Sequence, residues 1–380
     1  MMVHFPAKHR LSLCLIVRDE AQNLPRLLAS AQPWVEHIVV VDTGSVDQTV
    51  AIAQAWGAHL ESRVWEHSFA VARNQSLELA QTPWALLLDA DEELVVNDPA
   101  AFAEAITADT PAHPPAYAVD CHDLRDDGQI SVAPLLRLFR RDLPEMRFEG
   151  AVHEQLKAVA RGHVGVGRAT FMHFRHDGHV EAALRGKDKD NRNLVLARAQ
   201  VNNNPHDAFA WFCLGQALLT TPTQARREEA AAAYSQALKR MGDQQEGEAF
   251  VVSLFANQAD TQLRLHRTEE ALETLHSGVK AFPHSADLRL ARGQLLMRQG
   301  QLQLAEADLR TCLGADCARF FVRLDPGSSG HKARTQLALC LIRQSRLQEA
   351  LPQLEQAVAE SPASDRLARA LLDKLLSNRG

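Results

Sequence analysis

No apolar run in this chain is long enough to cross a membrane, which takes about 20 residues. The first apolar segment, Leu11 to Val17, is interrupted by Ser12 and followed at once by Arg18-Asp19-Glu20. It also lacks the small-residue cleavage site of a secretory leader. The expectation is a cytoplasmic protein, with room for peripheral contact at the inner face of a membrane. Positive charge is not in excess. With 41 Lys and Arg against 47 Asp and Glu the net charge is -6, which removes the general electrostatic case for binding nucleic acid. Neither G-x-G-x-x-G nor G-x-x-x-x-G-K-[S/T] occurs among the first strand and helix patterns, which argues against a dinucleotide crevice or a P-loop. Disulfides and zinc are poorly supported as well. The six cysteines (14, 121, 213, 312, 317 and 340) are scattered, and Cys312 and Cys317 have no second pair at metal spacing. They read as free thiols in a reducing compartment.

What is present is a chain of 380 residues, 46% hydrophobic, enough for two domains. Its first part alternates short apolar runs with helix-period segments. Strands are expected at Leu11–Val17, Ile38–Val41, Ala58–Arg63 and Ala85–Leu88, with helices at 21–31, 48–56 and 70–80. Asp47 is a good cap for the second helix. The order β-α-β-α-β-α-β gives crossovers long enough for parallel pairing. Arg18, Asp42, Asp89 and Asp91 then fall at the C-terminal ends of strands, where open α/β sheets bind ligands. Beyond residue 116 further short strands (Tyr117–Val119, Pro134–Phe139, Val164–Gly167, Phe171–Phe174) point to a mixed sheet, and 187–196 turns helical.

From Phe209 the composition shifts to alanine, leucine and charge at helical period. Ala271, Leu275 and Gly278 recur 34 residues on as Ala305, Leu309 and Cys312; Ala350, Leu354 and Ala357 repeat the offsets, and Ala230, Tyr234 and Ala237 mark an earlier copy. This spacing resembles tetratricopeptide repeats; a plain helical bundle is the simpler alternative.

The chemistry concentrates in W-A-L-L-L-D-A-D-E-E, residues 84–93. Asp89 and Asp91 lie two apart, so in an extended segment they point the same way and could approach one ion. Oxygen ligands of this kind suit Mg²⁺ or Mn²⁺, above all with substrate phosphates; a solvated acidic turn reads the same way. Glu92 and Glu93 are expected to face solvent or to brace the loop. Arg73 could meet a base edge or pair with Asp89 or Asp42. Glu149, His153 and Glu154 offer a general base. His173 is a candidate third metal ligand, and Lys187, Lys189, Arg192 and Asn193 form a basic segment able to compensate a departing diphosphate.

Taken together, L-C-L-I-V-R-D-E, V-V-V-D-T-G-S-V-D-Q-T, F-A-V-A-R-N and L-L-L-D-A-D-E-E resemble family 2 glycosyltransferases of the GT-A fold. R-L-F-R-R, F-E-G-A-V-H-E, H-F-R-H-D-G and K-D-N-R-N-L resemble the subgroup with C-terminal tetratricopeptide-like repeats, which includes relatives of lipopolysaccharide-core and peptide S-glycosyltransferases. The resemblance implies an α/β GT-A domain with a mixed central sheet over 11–205 and an all-α repeat domain over 206–375. It implies a nucleotide-sugar donor, usually UDP-linked, a divalent cation (Mn²⁺ or Mg²⁺), and inversion at the anomeric carbon. The acceptor would be a glycan, a lipid-linked glycan or a protein, with a protein partner on the repeats in view. Asp42 and Arg73 would contact the uracil, Asp89 the ribose region and Asp91 the metal. Arg18, Lys189 and Arg192 would also face the donor, and Glu154, ahead of Glu149 and His153, would be the base. Two positions depart from the pattern: Asp19 stands where an amide is usual, bringing negative charge near the donor, and His179 stands where Tyr is usual. A nucleotidyltransferase making nucleotide sugars and a non-enzymatic repeat scaffold are the competing readings.

Overall fold

A computed structural model describes residues 7, 10–107, 113–124, 130–152, 154–160, 163–176, 178–241, 250–314, 326–361 and 366–377, the side chains of 124, 130, 131, 160, 178–190 and 326 excepted. His153, Cys317 and the hairpin expected at 124–129 therefore fall largely or wholly outside the described residues. The chain forms two compact units, Met1–Arg125 with Ala133–Pro205, and Asp126–Val132 with His206–Gly380.

The first unit is an α/β layer structure. Its strands are β1 (Leu11–Val17), β2 (His37–Asp42), β3 (His59–Ser62), β4 (Trp84–Leu87), β5 (Glu92–Val96), β6 (Ala116–Leu124), β7 (Ile130–Arg140), β8 (Phe148–Glu149), β9 (Gln155–Leu156) and β10 (Val166–His176). Its helices are α1 (Leu24–Ala31), α2 (Thr49–Ala55), α3 (Phe69–Leu79), α4 (Pro99–Thr107), α5 (Lys157–Ala160) and α6 (Gly178–Asn203). Eight strands make one sheet in the order β3-β2-β1-β4-β7-β6-β10-β5. The first four are parallel. β7 then runs antiparallel to β4, and β5 antiparallel to β10 at the far edge. The mixed sheet expected from the sequence is thus present.

Alternation along β1 explains why the sheet is covered on both faces. Leu11, Leu13, Leu15 and Val17 join one buried cluster with Leu24, Leu27 and Leu28 of α1 and Phe102 of α4. Cys14, between them, joins the opposite cluster with Ala70 and Leu77 of α3. Helix α3 starts where Ser68, extended, accepts the Val71 N–H on its hydroxyl. Asp47 accepts the Thr49 N–H at the start of α2, but from one position before the N-cap, which is Gln48 and makes no side-chain cap bond.

Two elements differ from expectation. β5 was hidden by its own charge: Glu92 and Leu94 are buried while Glu93 and Val95 are less so, a two-residue period that pays off only when β10 supplies the neighbouring edge. The two short strands expected at 164–167 and 171–174 are one strand, β10, with a register shift between Ala169 and His173.

The second unit is helical: α7 (Ala208–Leu219), α8 (Gln224–Met241), α9 (Val251–Arg264), α10 (Thr268–Ala281), α11 (Ala286–Arg298), α12 (Leu302–Cys312), α13 (His331–Arg343), α14 (Leu347–Glu360) and α15 (Leu367–Ser377). The helices pack in successive pairs, α7 with α8 through α13 with α14. The recurring positions are the buried stripe of each pair's second helix: Ala230, Tyr234 and Ala237; Ala271, Leu275 and Gly278; Ala305, Leu309 and Cys312; Ala350, Leu354 and Ala357. The five described cysteines are free and buried.

Candidate functional site

The parallel strands deliver their polar residues to one edge. Asp42 ends β2 with 3% of its surface exposed, and its carboxylate accepts the N–H groups of Gly44 at 3.2 Å and Ser45 at 3.1 Å. Gly44 takes φ +108°, a conformation that favours glycine, so that this loop can fold back on the carboxylate. Asp19 is also left-handed, at φ 56°, where Asp and Asn are the tolerated side chains. Its N–H donates to Ser45 Oγ and its Oδ1 accepts the Val46 N–H at 2.8 Å. Asp19 thus ties the β1 and β2 loops together through contacts that an amide at this position would make as well. Arg18 beside it is half exposed, with Asp19 as a neighbour at 4.0 Å.

After β4 the chain turns, the Glu92 N–H donating to the Asp89 carbonyl, and this turn separates the two aspartates. Their side chains take different protein partners. Asp89 is gripped from two sides: Arg73 Nη2 donates to Oδ1 and Arg137 Nη2 to Oδ2, the latter at 2.8 Å. Burial by itself would raise the Asp89 carboxyl, but the two guanidinium charges outweigh it and hold it well below the usual carboxylate range. Its side chain remains 41% exposed, so solvent screens part of this field. The same Arg137 nitrogen donates to Glu92 Oε1 at 2.8 Å, and Glu92 Oε2 accepts the Asp89 N–H at 2.8 Å. Glu92 is thus buried bracing, not a solvent-facing charge, and its burial raises its carboxyl pKa. Glu93 is only partly covered.

Arg73, buried on α3, also donates from Nε to Glu154 Oε1 at 3.2 Å. Of the two interactions open to it, the base edge and the ion pair, the ligand-free fold shows the ion pair. Glu154 is 15% exposed at its side chain, and among the described residues no donor reaches its Oε2. Glu149 lies instead on the short hairpin β8–β9, half exposed, 3.4 Å from Lys157 Nζ. The structure brings Arg73, Asp89 and Glu154 together and leaves Glu149 outside that cluster.

Asp91 meets a different histidine from the expected one. His176 Nε2 lies 3.3 Å from Asp91 Oδ2, and its Nδ1 lies 3.1 Å from Asp123 Oδ1. The hydrogen bond to Asp91, opposed by burial and helped by the Asp91 charge, the hydrogen bond to Asp123 and the charge of Glu92, lifts the imidazole pKa to about 9. His173 stacks on His122 with ring centroids 4.3 Å apart. The reason is strand alternation: His173 and His176, three residues apart in β10, face opposite sides of the sheet. Among the described residues no three His, Cys, Asp or Glu side chains stand where they could hold one ion. The chain's own donors fit a divalent cation only as an open site, the Asp91 carboxylate plus phosphate oxygens and water brought with a substrate.

Arg192 lies on α6 above Phe69 and Trp65. Lys189 lies on the same helix, its side chain outside the described residues. Arg137 was missed as a site residue in the sequence, although it opens R-L-F-R-R; a basic residue in an apolar strand, two before the buried Phe139, was the available signal.

Residues 12–153 match the family model described as "Glycosyl transferase family 2". The chain thus carries a family 2 domain at its N-terminus. Beside the family 2 domain, residues 257–316 match the model of a tetratricopeptide repeat. A TPR repeat-containing protein of Synechococcus elongatus is 42% identical over 150 residues, 39% of this chain and 36% of that protein. The SPbeta prophage-derived glycosyltransferase SunS of Bacillus subtilis is 24% identical over 210 residues, 54% of this chain and 48% of that one. The lipopolysaccharide core biosynthesis glycosyltransferase LpsC of Rhizobium meliloti is 28% identical over 180 residues, 43% of this chain and 63% of that one. The chain thus spans less than two thirds of the length of each of these three relatives. No described helix is long and apolar enough to cross a membrane.

Proposed function

We propose that this protein transfers a sugar from a nucleotide donor, UDP-linked, to a nucleophile on a glycan, lipid-linked glycan or protein, with inversion at the anomeric carbon. The catalytic part is assigned to residues 11–205 and a partner- or acceptor-binding surface to the repeats at 206–375. The observation that carries the reading is Arg73: one buried guanidinium holds both Asp89, at the edge where strands deliver ligand-binding groups, and Glu154, whose second oxygen has no donor among the described residues. The family 2 match at residues 12–153 and the relatives' names support the same class.

Asp42 accepts both Gly44 and Ser45 N–H groups on Oδ2 and Ser45 also on Oδ1, and Oδ1 has capacity left for a base N–H. Asp89, held by two arginines, presents its remaining lone pairs to ribose hydroxyls. Asp91 is the carboxylate offered to a divalent cation, with His176 rather than His173 beside it. When bound, such a cation supplies positive charge to the leaving diphosphate. Lys189 is the chain's own cation for that charge. Glu154 Oε2 takes the acceptor's proton as the nucleophile bonds to C1. The bond from C1 to the diphosphate oxygen breaks, and its electron pair leaves with the nucleoside diphosphate. A nucleotidyltransferase would release pyrophosphate instead, and a scaffold would release nothing.

The test pairs two variants. Asp91→Ala is expected to abolish transfer and to weaken UDP binding in Mn²⁺ at least tenfold by calorimetry. Glu154→Gln is expected to lower turnover by ~10²–10⁴ while UDP binding stays within twofold. Normal turnover by Glu154→Gln would remove it as the base, and pyrophosphate as product would overturn the reaction class.

A further inference from the structure

Arg192 is a cation without a counter-charge among the described residues. Its guanidinium carbon lies 5.2 Å from the ring centre of Phe69 and 6.0 Å from that of Trp65, and the two rings meet edge to face at 4.9 Å. Among the described residues no carboxylate comes within ion-pair distance, and its Nε is buried without a hydrogen-bond partner. Burial first, then the like charge of Arg18, pushes its pKa down. The shelf sits at the start of α3, an 11-residue helix whose N-terminal end is itself positive. Two guanidinium groups and a helix N-terminus gather here, and among the described residues the carboxylate within ion-pair reach of either guanidinium is Asp19, 4.0 Å from Arg18. An oxyanion would relieve that repulsion through charge-assisted hydrogen bonds. The aromatic rings meanwhile keep the guanidinium plane in place.

The position of the shelf says which substrate would bring the anion. Phe69 precedes Arg73 by one turn of α3, ~5.4 Å of rise. The Phe69 N–H donates to the Ala151 carbonyl at 2.9 Å, in the loop that leads to Glu154. On α6, Gln200 is two turns beyond Arg192 and accepts the Val152 N–H of that loop at 3.4 Å. Asp91 is held from other elements, by His176 of β10 and by Arg26 of α1, whose Nη2 donates to the Asp91 carbonyl. The shelf therefore flanks the proton-accepting carboxylate and not the residue assigned to the diphosphate.

We propose that Arg192, held on Trp65 and Phe69 and supported by Arg18, is a subsite for an oxyanion, phosphate or carboxylate, carried by the acceptor sugar. This rests on the glycosyl-transfer reading above.

The full-length protein saturated with UDP and Mg²⁺ is titrated with glucose 6-phosphate, glucuronate and glucose, following tryptophan fluorescence and heat. The same titrations are run without UDP. At least one of the two anions is expected to bind the UDP-loaded protein, and glucose is not. Arg192→Gln should weaken that binding at least tenfold with UDP affinity unchanged within twofold, and Arg192→Lys should retain part of it. The rank of glucose 6-phosphate and glucuronate tells phosphate from carboxylate. Competition between the anions and UDP would overturn the proposal, because Arg192 would then serve the donor's diphosphate. Equal anion binding by Arg192→Gln, or no anion binding with or without UDP, would overturn it too. Anion binding by a protein that does not bind UDP would overturn the glycosyl-transfer reading, and the acceptor role with it.

Discussion

At Arg137 one nitrogen donates to both Asp89 and Glu92 at 2.8 Å, and the guanidinium also lies 5.4 Å from the Phe174 ring centre. Glu92 has 4% of its side chain exposed. Removing the arginine leaves that carboxylate buried and short of charge, a change that typically costs about 3–5 kcal/mol. Arg137→Met is therefore expected to lower the urea-derived unfolding free energy by about that amount. Adding Glu92→Gln should cost little more, because the two lie in one network. A loss under about 1 kcal/mol would show that water takes the guanidinium's place. A second prediction concerns the stacked His122–His173 pair. Burial lowers both imidazole pKa values, with His122 also acting on His173. A base whose folded pKa lies below its unfolded value binds fewer protons when folded. Stability then rises with pH through the window below about 6.5 and is lost as pH falls through it. Urea midpoints measured from pH 8 to 5.5 should decline, and less steeply in a His122→Gln/His173→Gln variant; identical slopes would remove the pair as a cause.

Elements were legible where their period is local. β1 announces itself in seven apolar-rich residues, and the repeat helices through small or apolar residues spaced four and then three apart. β5 was not legible, since its charged residues become a strand only against β10. Between α7 and α8 the close approach rests on Gly215, where a Cβ would run into the ring of the fully buried Tyr234. Gly215→Ala gains about 1 kcal/mol of helix propensity but overpacks the contact by about 1–3 kcal/mol. A net loss is expected in the unfolding midpoint. Gly165→Ala, where a Cβ meets nothing within 4 Å, serves as the neutral comparison.

At the scale of the molecule, two compact units with separate buried clusters predict two unfolding transitions instead of one. UDP with Mg²⁺ should raise the transition of the family 2 unit alone, by about 2.7 kcal/mol at a hundredfold excess over Kd. A shift of both together in calorimetry would mean that they unfold as one. By itself the sequence determined the succession of strands and helices, the change to helical repeats and the residues rich in chemistry, because hydrophobic period and turn chemistry act over a few neighbours. Only the tertiary structure decided which of those residues meet. Arg73 and Glu154 are 81 positions apart, Arg137 and Asp89 are 48, and His176 and Asp91 are 85. That choice depends on strand order and on which side of β10 a residue faces, so His176 rather than His173 reached Asp91.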